Sequence, residues 1–337
     1  MNPVLEIRNL SIGYRNGVGL TNVLDGVNLT LYEGELVSLL GANGTGKSTL
    51  LRTVAGLQPP LGGDVLVKGV ALQKYANKQL SRLISIVSTE RVNAGGLTVR
   101  ELVSLGRQPY TGFLGRLGSW DKEIVEDSMD AVGISHKAER FVAELSDGER
   151  QKVMISKALA QESPIIILDE PTAFLDAANR VEILQLLHNL SRKKNKSVLL
   201  SSHDISQSLA LSDRLWLMSG GVVDAITPED AVLQGRMSGL FNSGKVEFDT
   251  FSGEFVYQQD NNGADVSVCG TDMLRHWCCN ALRRNGFNVV NDSAICVRIK
   301  SPSDIELMVA GEHICFKSVS ELTEYLIDAN NKGRLWK

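Results

Sequence analysis

A glycine-rich run near the start of the chain has the residue types and spacing of a phosphate-binding loop. The sequence from Gly41 to Thr49, GANGTGKST, fits the pattern G-x-x-x-x-G-K-[ST] between a predicted strand and a predicted helix. Glycines let the backbone wrap closely around phosphates, toward which the N–H groups of the helix start are directed. We expect Lys47 to bridge the β- and γ-phosphates of a nucleotide and Ser48 to ligate Mg²⁺. The nucleotide-binding candidates here are Gly41, Asn43, Gly44, Gly46, Lys47, Ser48 and Thr49.

Two acidic residues follow a short apolar strand later in the chain. Asp169 and Glu170 come directly after the run Ile165–Leu168. At a strand end, Asp169 is placed to hold Mg²⁺ through water, and Glu170 is placed to polarise an attacking water. Phosphoryl transfer depends on positioning and charge stabilisation more than on covalent chemistry. With the glycine-rich loop, these acids predict an ATPase that uses Mg²⁺.

The elements that must position these residues alternate between short apolar strands and amphipathic helices. Glu35–Leu40 and Ser197–Ser201 are continuous apolar strands suited to a sheet covered on both faces. Val4–Arg8 alternates like an edge strand, and Thr98–Glu101 has the spacing of a capping box before a helix. The pattern predicts an α/β fold with a largely parallel sheet.

Composition narrows the class of protein. The chain has 337 residues, 43% of them hydrophobic, and a net charge of −4, which gives no electrostatic case for binding nucleic acid. No apolar run approaches the roughly 18 residues of a membrane-spanning helix, and charges come too early for a signal peptide. We therefore expect a cytoplasmic protein, with membrane docking left open.

The last part of the chain predicts a second domain. After a break near Asn242–Gly244, Lys245–Tyr257 has the pattern of a hairpin and Gln258–Gly263 that of a polar linker. Short strands and two helices follow, which indicates a small α+β domain. The predicted domains are residues 1–244, with a helical subdomain at about 91–160, and residues 245–337.

The segment Leu145–Gln151, LSDGERQ, lies 23 residues before the acidic pair when counted from its serine. It resembles the signature L-S-G-G-Q/E of the ATP-binding cassette (ABC) ATPases. In that family the signature of one subunit closes over the γ-phosphate held by the other, so the resemblance implies a homodimer in which Ser146 and Gly148 contact that phosphate. Asp147 stands where the family has a glycine, and we expect it to point away and cap the helix.

Other family landmarks follow in order. The resemblance implies that Tyr14 stacks on adenine, that Asp176 lies in a loop touching the partner subunit, and that His203 contacts the γ-phosphate. The alternatives are a core tyrosine and a structural histidine. The implied fold is a P-loop NTPase core with a parallel sheet, an antiparallel β subdomain and a helical subdomain.

One landmark departs from the family pattern. Thr89 occupies the place of a glutamine that senses Mg²⁺ and the attacking water and lies against the membrane part of the transporter. The threonine hydroxyl is a candidate metal ligand but is too short to span the same gap. Glu90 would substitute if the loop shifts by one residue.

The segment Thr98–Arg107 with Pro109 and Tyr110 resembles the helical subdomain of importers for iron–siderophore, haem and cobalamin. The resemblance implies a homodimer under two permease copies, fed by an external substrate-binding protein, and a location on the inner face of the cell membrane. The alternative is a soluble regulatory ATPase of the ABC type with no permease.

All five cysteines lie after residue 268, in the predicted C-terminal domain. Helical periodicity places Cys278 on an apolar face with Trp277 and turns Cys279 away from it, so that Cys279 is expected to be the most exposed. Buried small hydrophobic residues are favoured over a metal or redox site for most of these cysteines. Our hypothesis is that this domain regulates or stabilises the ATPase dimer.

Overall fold

The computed structural model describes residues 2–16, 19–88, 96–112, 115–240, 246–250, 252–257 and 263–332. The strands before the hairpin are β1 Pro3–Asn16, β2 Gly19–Tyr32, β3 Leu36–Gly41, β4 Gly62–Val67, β5 Val70–Ala71, β6 Ile84–Val87, β7 Ile165–Leu168, β8 Ser197–Ser201, β9 Arg214–Ser219 and β10 Val222–Ile226. The α-helices of this part are α1 Lys47–Val54, α2 Asn77–Leu80, α3 Val99–Ser104, α4 Ser119–Ala131, α5 Asp147–Ala160, α6 Ala177–Lys194, α7 Ile205–Leu211 and α8 Pro228–Leu233.

Two sheets organise this part of the chain. The larger has the strand order β10-β9-β3-β8-β7-β6, parallel except for β10. The smaller is antiparallel with the order β2-β1-β4-β5. The prediction of an edge strand from Val4 to Arg8 is therefore wrong, because β1 is paired on both sides. Alternation in a sequence shows that one face is buried but not how many neighbours a strand has.

The parallel sheet is buried on both faces. Along β7, Ile166 and Leu168 join a core cluster with side chains of α3, α4, α5 and α6. Ile165 and Ile167 join another cluster with α1 and the antiparallel sheet. Burial on both sides explains why this strand is apolar without alternation, as is typical of parallel sheets.

Contacts divide the chain into two compact units, Met1–Asn242 with Phe248–Phe255, and Ser243–Glu247 with Val256–Lys337. The hairpin strands are β11 Val246–Asp249 and β12 Glu254–Tyr257. Phe248 is buried in a cluster with Leu215 and Leu217, and its ring centroid lies 5.1 Å from that of Phe255. The middle of the hairpin therefore packs with the first unit, although the sequence analysis assigned it to the C-terminal domain.

The second unit contains a five-stranded sheet with the order β14-β13-β15-β16-β17. The pairs of β13 with β14 and β15 are parallel, and the remaining pairs are antiparallel. Its elements are β13 Asp265–Gly270, α9 Asp272–Arg284, β14 Asn288–Val290, β15 Cys296–Ser301, β16 Asp304–Val309, β17 Glu312–Phe316 and α10 Val319–Asn331.

The structure corrects the expectations for the cysteines. Cys278 and Cys279 are both buried, whereas Trp277 is 65% exposed. Cys269 and Cys315 are exposed and Cys296 is intermediate, so burial of most cysteines was a wrong prediction. Periodicity locates the apolar face of a helix only approximately, and the strands packed against α9 cover the flank that carries Cys279 rather than Trp277.

Candidate functional site

The glycine-rich loop joins β3 to α1 as predicted and opens into a pocket. Gly46, the residue before α1, has φ of 105°, and a Cβ built there would lie 2.4 Å from Cγ1 of Val23. A side chain at this position would therefore be strained and would clash, which accounts for the glycine. The pocket is lined by Tyr14, Val23, Asn43, Gly44, Gly46, Lys47, Ser48, Thr49 and Glu170.

Lys47 is buried at the base of this loop. Its Nζ donates hydrogen bonds to the carbonyl oxygens of Gly41 at 2.8 Å and Ala42 at 3.0 Å. Burial lowers the pKa of the Lys47 ammonium, while the carboxylates of Glu170 and Asp169 act in the opposite direction. The loop carbonyls and the acidic pair thus hold a positive charge beside the start of α1.

Asp169 follows β7 and receives two hydroxyl donors on one oxygen. Oγ of Ser48 lies 3.1 Å and Oγ of Ser201 2.7 Å from Oδ1 of Asp169. A hydroxyl and a carboxylate are the hard oxygen donors that Mg²⁺ accepts when waters and phosphate oxygens complete its octahedron. The residues present therefore fit a magnesium site of the P-loop type.

Glu170 has a backbone conformation that is uncommon for a residue with a side chain. Its φ is 48°, and its N–H donates to Oγ of Ser201 at 2.8 Å. Oε1 of Glu170 lies 2.7 Å from Nε2 of His203, and both side chains are partly exposed. The structure thus brings the predicted acid and the predicted histidine together at the pocket.

Tyr14 reaches the same pocket from β1. Its hydroxyl lies 2.5 Å from Oγ1 of Thr49, and the side chain is close to half exposed. The alternative of a fully buried core tyrosine does not describe this position. An exposed aromatic ring beside a phosphate-binding loop is available for stacking on a base.

The signature segment, Leu145–Gln151, does not contribute to the pocket around the glycine-rich loop of its own chain. Among the described residues that line the pocket, none belongs to this segment. Ser146 caps α5, since its hydroxyl accepts from the N–H of Glu149 and the Glu149 carboxylate accepts from its own N–H. Ser146 is thus the N-cap, whereas Asp147 is the first residue of α5 and its carboxylate accepts from Arg150 at 3.0 Å.

Gly148 and Asp176 both lie beside Asn179. A Cβ on Gly148 would lie 2.8 Å from Oδ1 of Asn179. Asp176 caps α6 and accepts from both the backbone and the side-chain nitrogen of Asn179, at 2.8 and 2.9 Å. The signature helix therefore packs against the start of α6, and the Ser146 and Asp176 side chains lie exposed beside it.

Thr89 and Glu90 lie outside the described residues, so the prediction at the glutamine position stays a prediction. Ser201, in contrast, was not among the predicted site residues although its hydroxyl contacts both Asp169 and Glu170. Its only sequence signal is its place at the end of the apolar strand next to the one that carries the acids.

Comparison with known proteins gives two family matches. The model described as "ABC transporter" matches residues 24–173, and "Iron ABC transporter C-terminal domain" matches residues 262–327. An ABC transporter ATP-binding protein of Methanocaldococcus jannaschii is 37% identical over 294 residues, which are 85% of this chain and 98% of that protein. The chain belongs to the ABC transporter ATP-binding proteins.

Further comparisons agree with this ABC assignment. The ferric enterobactin transport ATP-binding protein FepC of Escherichia coli is 36% identical over 229 residues, 68% of this chain and 83% of that protein. The dimeric ATP-binding cassette MJ0796, solved with ADP and phosphate, has a TM-score of 0.59 and 28% identity, covering 66% of this chain and 98% of that one. The predicted ABC fold, the ATPase activity and the likeness to siderophore importer ATPases with an added domain are confirmed.

Within the described ranges of this ABC protein, no helix combines the length and the apolar character that crossing a bilayer requires.

Proposed function

We propose that this chain is the ATP-hydrolysing subunit of an importer that takes up iron–siderophore complexes through partner permeases. The observation that carries the proposal is the combination of a phosphate-binding pocket that includes Lys47 and Glu170 with a C-terminal unit of the kind named for iron transporters. Haem and cobalamin are the other substrates that the resemblance leaves open. A cobalamin import ATP-binding protein of Halobacterium salinarum, for instance, is 35% identical over 66% of this chain.

Lys47 and the loop amides would hold the phosphates of ATP. The Lys47 ammonium contacts loop carbonyls next to the start of α1, so only a short movement would bring it onto a phosphate oxygen. The helix start and the loop, with Gly41, Asn43, Gly44, Gly46 and Thr49, would supply backbone donors and room for the anion. Tyr14 would then stack on the adenine ring.

Ser48 and Asp169 would hold Mg²⁺, whose charge would neutralise the β- and γ-phosphate oxygens. Thr89 remains a further candidate ligand. Glu170 would orient the water that attacks the γ-phosphate, and His203 would contact the same phosphate. Their 2.7 Å contact supports a joint role, because each side chain fixes the position of the other.

A second copy of the chain would complete the site. Ser146 and Asp176 are both exposed, and they flank the place where Gly148 approaches Asn179. The signature and the loop between β7 and α6 therefore form one continuous surface. Phe174 in that loop is 74% exposed, as expected for a residue that a partner covers. In the proposed homodimer this surface closes over the γ-phosphate held by the other copy.

The proposed complex lies on the cytoplasmic face of the membrane, with two permease copies and an external substrate-binding protein. ATP-driven closure of the dimer would switch the permease between its outward- and inward-facing states, and hydrolysis would reset it. The competing function is that of a regulatory ATPase with no permease. Co-purification from native membranes distinguishes the two, since only the importer brings a permease with it.

The catalytic assignment is tested with Glu170→Gln. The variant should bind ATP and form a stable dimer by light scattering, while its ATP turnover falls by about 10³-fold, within the usual range for a positioned acid or base. Wild-type turnover in this variant would contradict the role of Glu170. Uptake of ⁵⁵Fe–siderophore by vesicles that contain the co-purified complex tests the substrate, with labelled cobalamin as the competing cargo.

A further inference from the structure

Ser201 lies at the end of β8, beside the strand that carries the two acids. The residue is 0% exposed. The register pairs Leu200 with Leu168 in the parallel strands β8 and β7, so Ser201 is level with Asp169. A hydroxyl among the apolar side chains of a fully buried strand is costly unless it forms hydrogen bonds.

The hydroxyl of Ser201 forms two hydrogen bonds whose directions are fixed by chemistry. The backbone N–H of Glu170 can only donate, so Ser201 Oγ accepts from it at 2.8 Å. A carboxylate can only accept, so the single hydroxyl proton points to Oδ1 of Asp169 at 2.7 Å. One side chain therefore joins the proposed metal ligand to the backbone of the proposed catalytic acid.

The bond to the Glu170 N–H restrains a conformation that this residue would otherwise leave. A φ of 48° lies in the left-handed region, which residues with a Cβ occupy only where the surrounding structure enforces it. The same backbone carries the carboxylate that lies 2.7 Å from His203. A rotation of φ toward the right-handed region would move that carboxylate away from both His203 and the pocket.

We propose that Ser201 is a positioning residue for ATP hydrolysis, which holds the Glu170 carboxylate in register with the metal ligand Asp169. This inference rests on the proposed roles of those two acids. It adds a residue that touches neither the nucleotide nor the water and acts through the backbone of Glu170. Loss of the hydroxyl should therefore reduce turnover and leave binding of ATP to the glycine-rich loop intact.

The test replaces Ser201 by alanine in the full-length protein. We expect kcat to fall by about 10²-fold, the effect of a displacement near 1 Å of a reacting group, while the Kd for ATP changes less than threefold. The matched control is Ser38→Ala, which removes an equally buried hydroxyl from the adjacent strand. Ser38 is paired with Leu200, and its hydroxyl contacts that of Ser212 at 2.7 Å, away from both acids. The control should keep its kcat within twofold.

A double-mutant cycle separates positioning from general damage. In single-turnover reactions, Ser201→Ala should cause no further loss in a Glu170→Gln background, because it acts through Glu170. An unchanged kcat in Ser201→Ala, or the full 10²-fold loss repeated in the Glu170→Gln background, would overturn the proposal. Failure of the proposed function gives a different result, in which Glu170→Gln itself hydrolyses ATP like the wild type.

Discussion

Arg107 is a buried arginine just after helix α3, and its contribution to stability can be worked out from its contacts. The guanidinium of Arg107 is 2% exposed and donates to Asp121 at 3.0 Å, Glu162 at 2.7 Å and the carbonyl oxygen of Ala160 at 2.7 Å. It also lies 4.1 Å from the centroid of the Tyr110 ring. The perturbation is Arg107→Met, which keeps a long unbranched side chain and removes every donor.

The three lost hydrogen bonds contribute different amounts to the free energy of unfolding. Glu162 is 42% exposed, so water replaces its partner at a cost below about 1 kcal/mol. The Ala160 carbonyl loses a buried partner, and Asp121, 18% exposed, loses a charge-assisted bond, each worth about 1–2 kcal/mol. We expect the free energy of unfolding to fall by about 3 kcal/mol, or Tm by about 6–12 °C for a unit of this size.

The assay is thermal unfolding of the full-length protein followed by circular dichroism and calorimetry. The control is Arg236→Met, since Arg236 pairs with Asp224 where both side chains are about half exposed. That pair should be worth less than about 1 kcal/mol. If both variants melt within 2 °C of each other, water satisfies Asp121 and Ala160 as well as Arg107 does, and the reasoning is refuted.

Three further outcomes are expected. Tyr14→Ala should weaken ATP binding about tenfold by calorimetry and Tyr14→Trp should not, because stacking on a base is worth about 1–3 kcal/mol; equal affinities would exclude stacking. Hydrogen bonds from Lys137 and then from the Ser146 N–H lower the pKa of Glu149 from 4.5 to about 2. The stability gap between wild type and Glu149→Gln in urea should therefore be full above pH 4.5 and shrink as pH falls toward 2, whereas a constant gap would refute the linkage. Iodoacetamide at pH 8 should modify the exposed Cys269 but not Cys278, whose pKa burial raises to about 12, with peptide masses as the readout.

The helix starts were predictable because capping is local. Thr98 and Glu101 form the predicted capping box, and Thr227 caps α8 with a proline at its first position. The strand before the two acids, β7, was also predictable from local sequence. A strand that is buried on both faces is a continuous apolar run, which is easy to recognise. Whether β1 is paired on one side or on both depends on distant partners, and nothing within the strand encodes that.

The meeting of the loop with the acids and His203 was also predictable, because parallel strands end at one edge of a sheet. Two polar residues escaped notice because their environment comes from elsewhere in the chain. In the sequence, Ser201 is simply the last residue of an apolar strand. Its hydroxyl has a hydrogen-bond partner because the register of β7 and β8 sets it beside Asp169. Arg107 would be assigned to the surface by its type, and its burial depends on acceptors 14 to 55 residues away.

The hairpin of β11 and β12 has a practical consequence for building truncated or chimeric proteins. A cut before residue 245 removes Phe248, whose ring fills a core shared with Leu215 and Leu217. Losing a buried phenylalanine typically costs about 3–5 kcal/mol, which would destabilise the ATPase unit for reasons unrelated to the missing domain. A cut between residues 258 and 262 spares that ring. The choice of splice point thus decides whether a deletion reports on the C-terminal unit or on a damaged core.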